Sequence, residues 1–322
     1  MKAAVIYKNG ELPQYIDFPD PIVENENHAL ITVKASAVKN LDKNIASGKH
    51  YSALEKAEAK VVGGDGVGLL EDGTRVYALG LTGMIAEYAI VDKNKMVKIP
   101  EGLDDCTASA LPNAVAGSAM ALRFRAAIQK GETVLINGAT GVTGKIAIQL
   151  AKYYGAKRII VTGRNEQTLK TLLDLGADEY LILTQTDEDF ISQFKIIHAN
   201  TPIDIIIDYL WGHSAELILN SLKGNGAFTH KTRYVSVGSM AGDTIQLSAS
   251  ILRSVDLQLS GSGFGSWTKG EMKKLIDEIL PEMFELAASK KLIIETVSID
   301  IKDIQKAWDM NIPDGKRLVI TI

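Results

Sequence analysis

From about residue 133 onward, short runs that are continuously apolar through their middles alternate with longer runs whose apolar residues recur at helical spacing. "TVLIN" leads into a helix expected over about Val142–Tyr154 and closed by Gly155. "RIIVT" precedes "NEQTLKTLLDLG", where Asn165 is placed to cap the helix and Gly176 to end it. "YLIL" then precedes "DEDFISQFKII", "IDIIIDYL" precedes "SAELILNSL", and "YVSVG" follows. Strands that are apolar throughout, with helices between them, predict a parallel sheet covered on both faces.

Before residue 115 the pattern differs. The short runs "AAVIY", "ALITVKASAV", "RVYAL" and "AEYAIV" are broken by Gly, Asp, Asn and Pro, which predicts a small β-rich domain. From about Ile251 the alternation stops again. "DLQLSGSGFG" reads as one more strand and a loop, and "KGEMKKLIDEILPEMFELAASKK" as a long helix bent at Pro281. The tail, ending in "GKRLVITI", returns to short strand, helix and strand. The expected architecture is α/β, with a β-rich domain split between 1–114 and 253–322 and an α/β domain inserted at 115–252.

Composition narrows the class. A hydrophobic content of 46%, a charged content of 23% and a net charge of −4 fit a globular enzyme and show no basic stripe for nucleic acid or an anionic membrane. No apolar run approaches the roughly 18 residues that span a bilayer. The opening "MKAAVIYKNG" is too short in apolar residues for a signal peptide, so a cytoplasmic location is expected. Cys106 stands alone, which rules out an intrachain disulfide and a cysteine-rich zinc site. It reads as a small, partly buried filler rather than a reactive thiol.

"INGATGVTGK" carries the first chemistry. Gly138, Gly141 and Gly144 lie three apart between a strand and a helix. Such a turn offers free N–H groups and a positive dipole end to an anion, and glycine lets the backbone approach a pyrophosphate. A nucleoside-triphosphate loop does not fit, because Ala139 occupies a glycine position and Ile146 follows Lys145 where Ser or Thr belongs. The turn therefore reads as a dinucleotide site formed by Gly138, Ala139, Thr140, Gly141, Val142, Thr143 and Gly144; a purely structural turn is the alternative. An NAD site places an acid about 20 residues on. Here Gly163 and Arg164 stand at the second strand end, and arginine clamps a phosphate, so NADPH is the expected cofactor. Later strand ends, Asp208–Leu210 and Val237–Ser239 (through Gly238), are expected to border the nicotinamide ribose.

These segments resemble the medium-chain dehydrogenase/reductase superfamily, in its zinc-free quinone oxidoreductase (zeta-crystallin-like) branch. "KAAVIY", "ASAVKNLDKNIASGKHY", "GGDGVG", "GTRVYAL", "GMIAEYAIV", "VLINGATGVTGKIAIQLAKYYGA" and "GKRLVITI" follow in the family's order. The resemblance implies a GroES-like catalytic domain in the flanking parts and a Rossmann domain in the insert. It also implies a homodimer joined at Rossmann edge strands, with "LQLSGSGFG" as the candidate edge. Zinc-dependent members carry Cys in the first motif and a His-Glu pair in the glycine turn. This chain has Val38-Lys39-Asn40-Leu41-Asp42 and Gly64-Asp65 there, and His28, His50, His198, His213 and His230 show no ligand spacing, so no metal is expected. His198 and His213 read as surface residues.

Without a metal to hold an alkoxide, a quinone or an α,β-unsaturated carbonyl suits the site better than an alcohol. The expected activity is zinc-independent, NADPH-dependent hydride transfer to such a small electrophilic acceptor. Lys39 and Asn40 are the candidate donors to its oxygen, with a depressed pKa letting Lys39 protonate it; a Lys39 projecting into solvent is the other reading. Asp42 reads as a turn cap near the pocket. Tyr51, Asn113, Phe264 and Trp267 are candidate pocket walls, and Gly263 of "SGSGFGSW" is implied to pass under the nicotinamide carboxamide. Two further readings stay open: a non-catalytic NADPH sensor, and an enoyl-thioester reductase.

Overall fold

The structure is a computed structural model that describes residues 1–48, 59–312 and 315–322. His50 and Tyr51 lie outside the described residues. The chain folds into two compact units, Met1–Asn113 with Lys273–Ile322, and Ala114–Met272.

The first unit is β-rich. Strand Lys2–Ile6 pairs antiparallel with Gln14–Asp17 on one side and Lys60–Val61 on the other. A larger sheet runs in the order Thr296–Asp300, Arg317–Thr321, His28–Ala37, Asp65–Leu69, Arg75–Gly80, Tyr88–Lys98. The long strand His28–Ala37 serves two partners. Its first part pairs with Tyr88–Lys98, His28 opposite Asp92, and its later part with Asp65–Leu69. That double pairing closes four strands on themselves and leaves no open edge among them. Ile31, Val33, Val76, Met84 and Val91 fill the interior.

"GGDGVG", read from sequence as a turn, contributes strand Asp65–Leu69. The reason lies in its glycines. A Cβ on Gly66 would stand 2.7 Å from the Ala35 carbonyl, and one on Gly68 2.8 Å from that of Thr32. Bare backbone lets this strand lie against its neighbour.

The second unit holds a six-stranded parallel sheet ordered Glu179–Ile182, Arg158–Gly163, Thr133–Asn137, Ile205–Asp208, Thr232–Ser236, Leu257–Gly261. The chain direction across the sheet reverses beside Thr133–Asn137, the Rossmann arrangement, whose ligands sit at the carboxyl ends near that reversal. Helices Val142–Tyr153, Glu166–Leu175, Asp187–Asn200 and Gly212–Leu222 connect the strands. Asn165 caps its helix by accepting from Thr168 N–H at 3.1 Å, and Gly176 ends it at φ +117°. Leu135, Ile160, Phe190, Phe194, Ile206 and Tyr234 pack the core.

Two details differ from the sequence reading. Strand Leu257–Gly261, assigned above to the flanking domain, pairs in parallel with Thr232–Ser236 and belongs to the second unit. A loop and the short helix Ala249–Ser254 replace the usual long crossover helix, which hides the repeat. The helix carrying Pro281 departs from α geometry one turn early, as a π-helical stretch Leu275–Ile279 between Lys269–Lys274 and Leu280–Ala288. Pro281 lacks the N–H that would bond four residues back, so the widened turn falls there. No helix among the described residues is long and apolar enough to cross a membrane.

Candidate cofactor site and a buried charge network

The glycine turn follows strand Thr133–Asn137, and each glycine has a separate physical reason. Gly138 has φ +85°, and a Cβ there would meet Leu210 at 2.7 Å. Gly144 is buried, and a Cβ there would lie 2.5 Å from the Ala139 backbone, so it permits the helix to pack on the strand. Gly141 differs from both. It is the exposed N-cap of helix Val142–Tyr153, with nothing within 4 Å of a built Cβ. Its space is open, and the unpaired N–H groups of the first helical turn follow it. Ala139 is buried and its N–H donates to the Thr162 carbonyl, so it supports the turn from beneath rather than lining it. Gly163 leaves room for Thr140, whose Cγ2 would be 2.6 Å from an added Cβ. Thr143 packs beside Gly117, and its carbonyl accepts from the Ser118 hydroxyl at 3.2 Å.

Arg164 is exposed directly after Gly163 at the second strand end. The residue following it, Asn165, is occupied with its own helix cap. The position of the expected acid is thus held by a cation.

The next strand ends meet through backbone bonds. Val237 N–H donates to Asp208 O at 2.7 Å, and Ala241 N–H to Leu210 O at 2.8 Å. Asp208 itself corrects the sequence expectation. Its side chain is fully buried and accepts from Asn137 Nδ2 at 2.7 Å, Leu210 N–H at 2.8 Å and Tyr234 O–H at 2.6 Å. It is a hub beneath the surface, not a lining residue. Burial, with Asp208's charge added, holds the Tyr234 phenol well above its usual pKa. Asn137 and Thr162 extend this network, Thr162 Oγ1 donating to Asn137 Oδ1 at 2.6 Å. Sequence reasoning missed Asn137, Thr162 and Tyr234. Asn137 and Thr162 carried a faint signal, a polar residue at or next to the end of a mostly apolar strand; Tyr234, in the middle of Thr232–Ser236, carried none.

After strand Leu257–Gly261 the chain turns through Phe264–Ser266. Phe264 is 47% exposed and its ring lies 4.9 Å from that of Trp267. Arg125 fixes this turn, with bonds of 3.0 Å to both oxygens of Glu271 and 2.5 Å to the Ser266 carbonyl. Gly263 N–H donates to the Ser266 hydroxyl at 2.9 Å. Asn113, half-buried, sits in helix Asp105–Met120 after Pro112. Cys106, near that helix's start, is half-buried, and burial with Asp104 and Asp105 pushes its thiol pKa up.

In the β-rich unit, Lys39 does not project into solvent. It is buried, with its ammonium donating to Asp65 Oδ1 and, at 2.9 Å, to Ala37 O, and lying 3.1 Å from Asp42 Oδ2. Burial alone lowers a lysine pKa; here Asp42 and Asp65 outweigh it and the pKa is raised. The depressed pKa expected from sequence is therefore corrected, and Lys39 is poorly suited to give up a proton. Asp42 staples the region, accepting from Lys39 N–H at 2.8 Å and Gly64 N–H at 3.0 Å. Tyr77 O–H donates to Asp65 Oδ2 at 2.6 Å. Arg317, also buried, has its pKa lowered by burial against the pull of Asp42 and Asp65. Asn40 is exposed at the first position of helix Asn40–Ala46.

This donor set does not fit zinc. The carboxylates nearest the first motif are already neutralised by Lys39 and Arg317, and a resident ammonium repels a divalent cation. Among the described residues no group of His, Cys, Asp and Glu is arranged to hold a metal. His198 is half-buried rather than at the surface, accepting from Ile203 N–H at 3.1 Å; His213 is exposed and pairs with Asp187 at 2.9 Å.

Comparison with known proteins gives this geometry its relatives. The profile of the zinc-binding dehydrogenase family matches residues 142–280. A quinone oxidoreductase of Sus scrofa is 29% identical over 289 residues, spanning 85% of this chain and 84% of its own length. A mycobacterial quinone oxidoreductase structure superposes with a TM-score of 0.84 at 19% identity, covering 100% of both chains. The quinone oxidoreductase of Thermus thermophilus, whose structures include a complex with NADPH, gives 0.79 at 24% identity, again covering 100% of both. Over most of its length the chain is similar to the quinone oxidoreductases of the medium-chain dehydrogenase/reductase superfamily. That similarity supports an oxidoreductase, and the shared fold accounts for both the closed β-rich sheet and the Rossmann order.

Proposed function

We propose that this oxidoreductase uses NADPH to reduce a quinone or an α,β-unsaturated carbonyl without a metal. The observation that carries the reading is the pairing of an open helix N-cap at Gly141 with an exposed Arg164 at the next strand end. The helix N–H groups after Gly141 bind the pyrophosphate, and Arg164 binds the 2′-phosphate that an acid would repel. Val237, Gly238, Ser239 and Leu210 border the nicotinamide ribose, and Gly263 offers backbone groups beyond it. When bound, NADPH supplies the hydride. The relatives' printed activities support the same reading.

An acceptor whose carbon is already electrophilic needs only a hydrogen-bond donor for its developing oxyanion. Asn40 is that donor. Lys39, held by two carboxylates, contributes by fixing the first motif rather than by giving a proton. Phe264 and Trp267 offer flat apolar faces to a planar acceptor. The same reading makes the chain a homodimer through the open edge strand Leu257–Gly261, where Leu259 is exposed.

The test is steady-state oxidation of NADPH by chelator-treated protein, with a quinone and a small enone as acceptors. Turnover that survives chelation supports the reading. Turnover that vanishes on chelation and returns with zinc contradicts it.

A further inference from the structure

We propose that Asp208 is a positioning residue: it sets affinity for the dinucleotide without touching it, by holding Trp211 in a backbone conformation natural only to glycine. The proposal rests on the dinucleotide reading above.

Trp211 has φ 58° and ψ −154°. Side chains with a Cβ rarely occupy this region, and a residue kept there is kept by its surroundings. The Trp211 ring packs edge-on against Tyr234 and its carbonyl accepts from the Ser214 hydroxyl at 3.2 Å, but its N–H is held by one carboxylate. Asp208 accepts from Trp211 N–H at 3.1 Å and from Leu210 N–H at 2.8 Å. Its remaining capacity goes to Asn137 Nδ2 at 2.7 Å and Tyr234 O–H at 2.6 Å. Every partner is a neutral donor, so the group acts as an acceptor hub rather than as half of an ion pair.

The hub reaches the candidate cofactor surface through two routes. Leu210, next to the clamp, lies over Gly138 of the glycine turn. The carbonyls of Asp208, Tyr209 and Leu210 receive the N–H groups of Val237, Met240 and Ala241, at 2.7, 3.3 and 2.8 Å. A shift of Trp211 therefore moves both strand-end loops and the residue that covers the glycine turn. Asn137, at the end of the adjacent strand, ties the hub to the strand that leads into that turn.

Chemistry makes the assignment testable. An amide at 208 keeps the size of the carboxylate but replaces one acceptor by a donor. Its neutral oxygen, in the Oδ1 place, holds the Asn137, Leu210 and Trp211 donors more weakly than a carboxylate does, and its NH2, in the Oδ2 place, can no longer accept from Tyr234 O–H or Trp211 N–H, so the clamp loosens. Glycine at 211 removes the need for a clamp. The two substitutions are predicted to be strongly coupled.

The experiment compares wild type, Asp208→Asn, Trp211→Gly and the double variant. It reads amide hydrogen exchange at residues 209–213 and 237–242 without cofactor, and KM for NADPH against kcat with a quinone acceptor. Asp208→Asn is expected to speed exchange in both segments and to raise KM for NADPH by about tenfold, with a smaller effect on kcat. Adding Trp211→Gly is expected to recover most of that KM loss. Additive losses, or unchanged exchange in Asp208→Asn, overturn the proposal. If Asp208→Asn does not fold, Tyr234→Phe weakens the same hub by one hydrogen bond and is expected to show the same coupling. A wild type that binds no NADPH overturns the functional reading and the affinity claim with it; unchanged exchange alongside normal NADPH binding overturns the clamp alone.

Discussion

The ammonium of Lys39 and the carboxylate of Asp65 form an ion pair inside the β-rich unit, each residue only 4% exposed. Asp42 and Arg317 complete a buried group of two positive and two negative charges. Removing one partner leaves an uncompensated charge in a low-dielectric place. Lys39→Met is expected to cost about 3–5 kcal/mol of stability in urea unfolding. Lys39→Met with Asp65→Asn is expected to recover a large part of it. The pH sign follows from the raised lysine pKa: the contribution is complete below the ordinary value of 10.5 and is lost as pH rises through the higher folded value.

Gly141 and Gly144 separate cofactor contact from packing. Gly144→Ala places a methyl 2.5 Å from the Ala139 backbone, which has no rotamer to yield. Its melting temperature is expected to fall well below wild type. Gly141→Ala meets nothing within 4 Å, and its φ of −80° suits alanine. That variant is expected to melt like wild type and to bind NADPH at least about tenfold more weakly, since its methyl enters the space left for the pyrophosphate.

Arg164→Ala tests the choice of dinucleotide. Loss of a charge-assisted bond is expected to lower kcat/KM for NADPH by about tenfold or more and to leave NADH within about twofold. Equal losses with both cofactors would assign Arg164 to something other than the 2′-phosphate.

His198 makes the second unit sensitive to acid. Burial, then the neighbouring His230, lowers its pKa below the ordinary 6.5, against the pull of Asp204. Its Nδ1 accepts from Ile203 N–H, a bond that protonation breaks. A depressed folded value means the stability is present above pH 6.5 and is lost as pH falls through that folded value. Urea midpoints at pH 8 and pH 5 are expected to differ less in His198→Gln than in wild type.

Much of the fold was legible because burial on both faces writes a clear pattern. "TVLIN", "RIIVT" and "IDIIIDYL" are continuously apolar through their middles and became adjacent parallel strands, and the Asn165 and Gly176 caps followed from local backbone chemistry. Strand Asp65–Leu69 was hidden by glycines that serve close packing rather than turning. The site divided similarly. Local geometry made the glycine turn readable, because all its glycines lie on one short segment. Long-range pairing decided the rest: Lys39 meets Asp65 across 26 positions and Asp208 meets Asn137 across 71. No periodicity records such meetings, so a buried Lys39 was indistinguishable from a solvated one, and Asp208 looked like a lining residue.

The most direct test of the account is a calorimetric titration of chelator-treated protein with NADPH and, separately, NADH. The account predicts saturable binding of one NADPH per chain, tighter than NADH by about tenfold or more. Equal affinity for the two, or no binding of either, would contradict it.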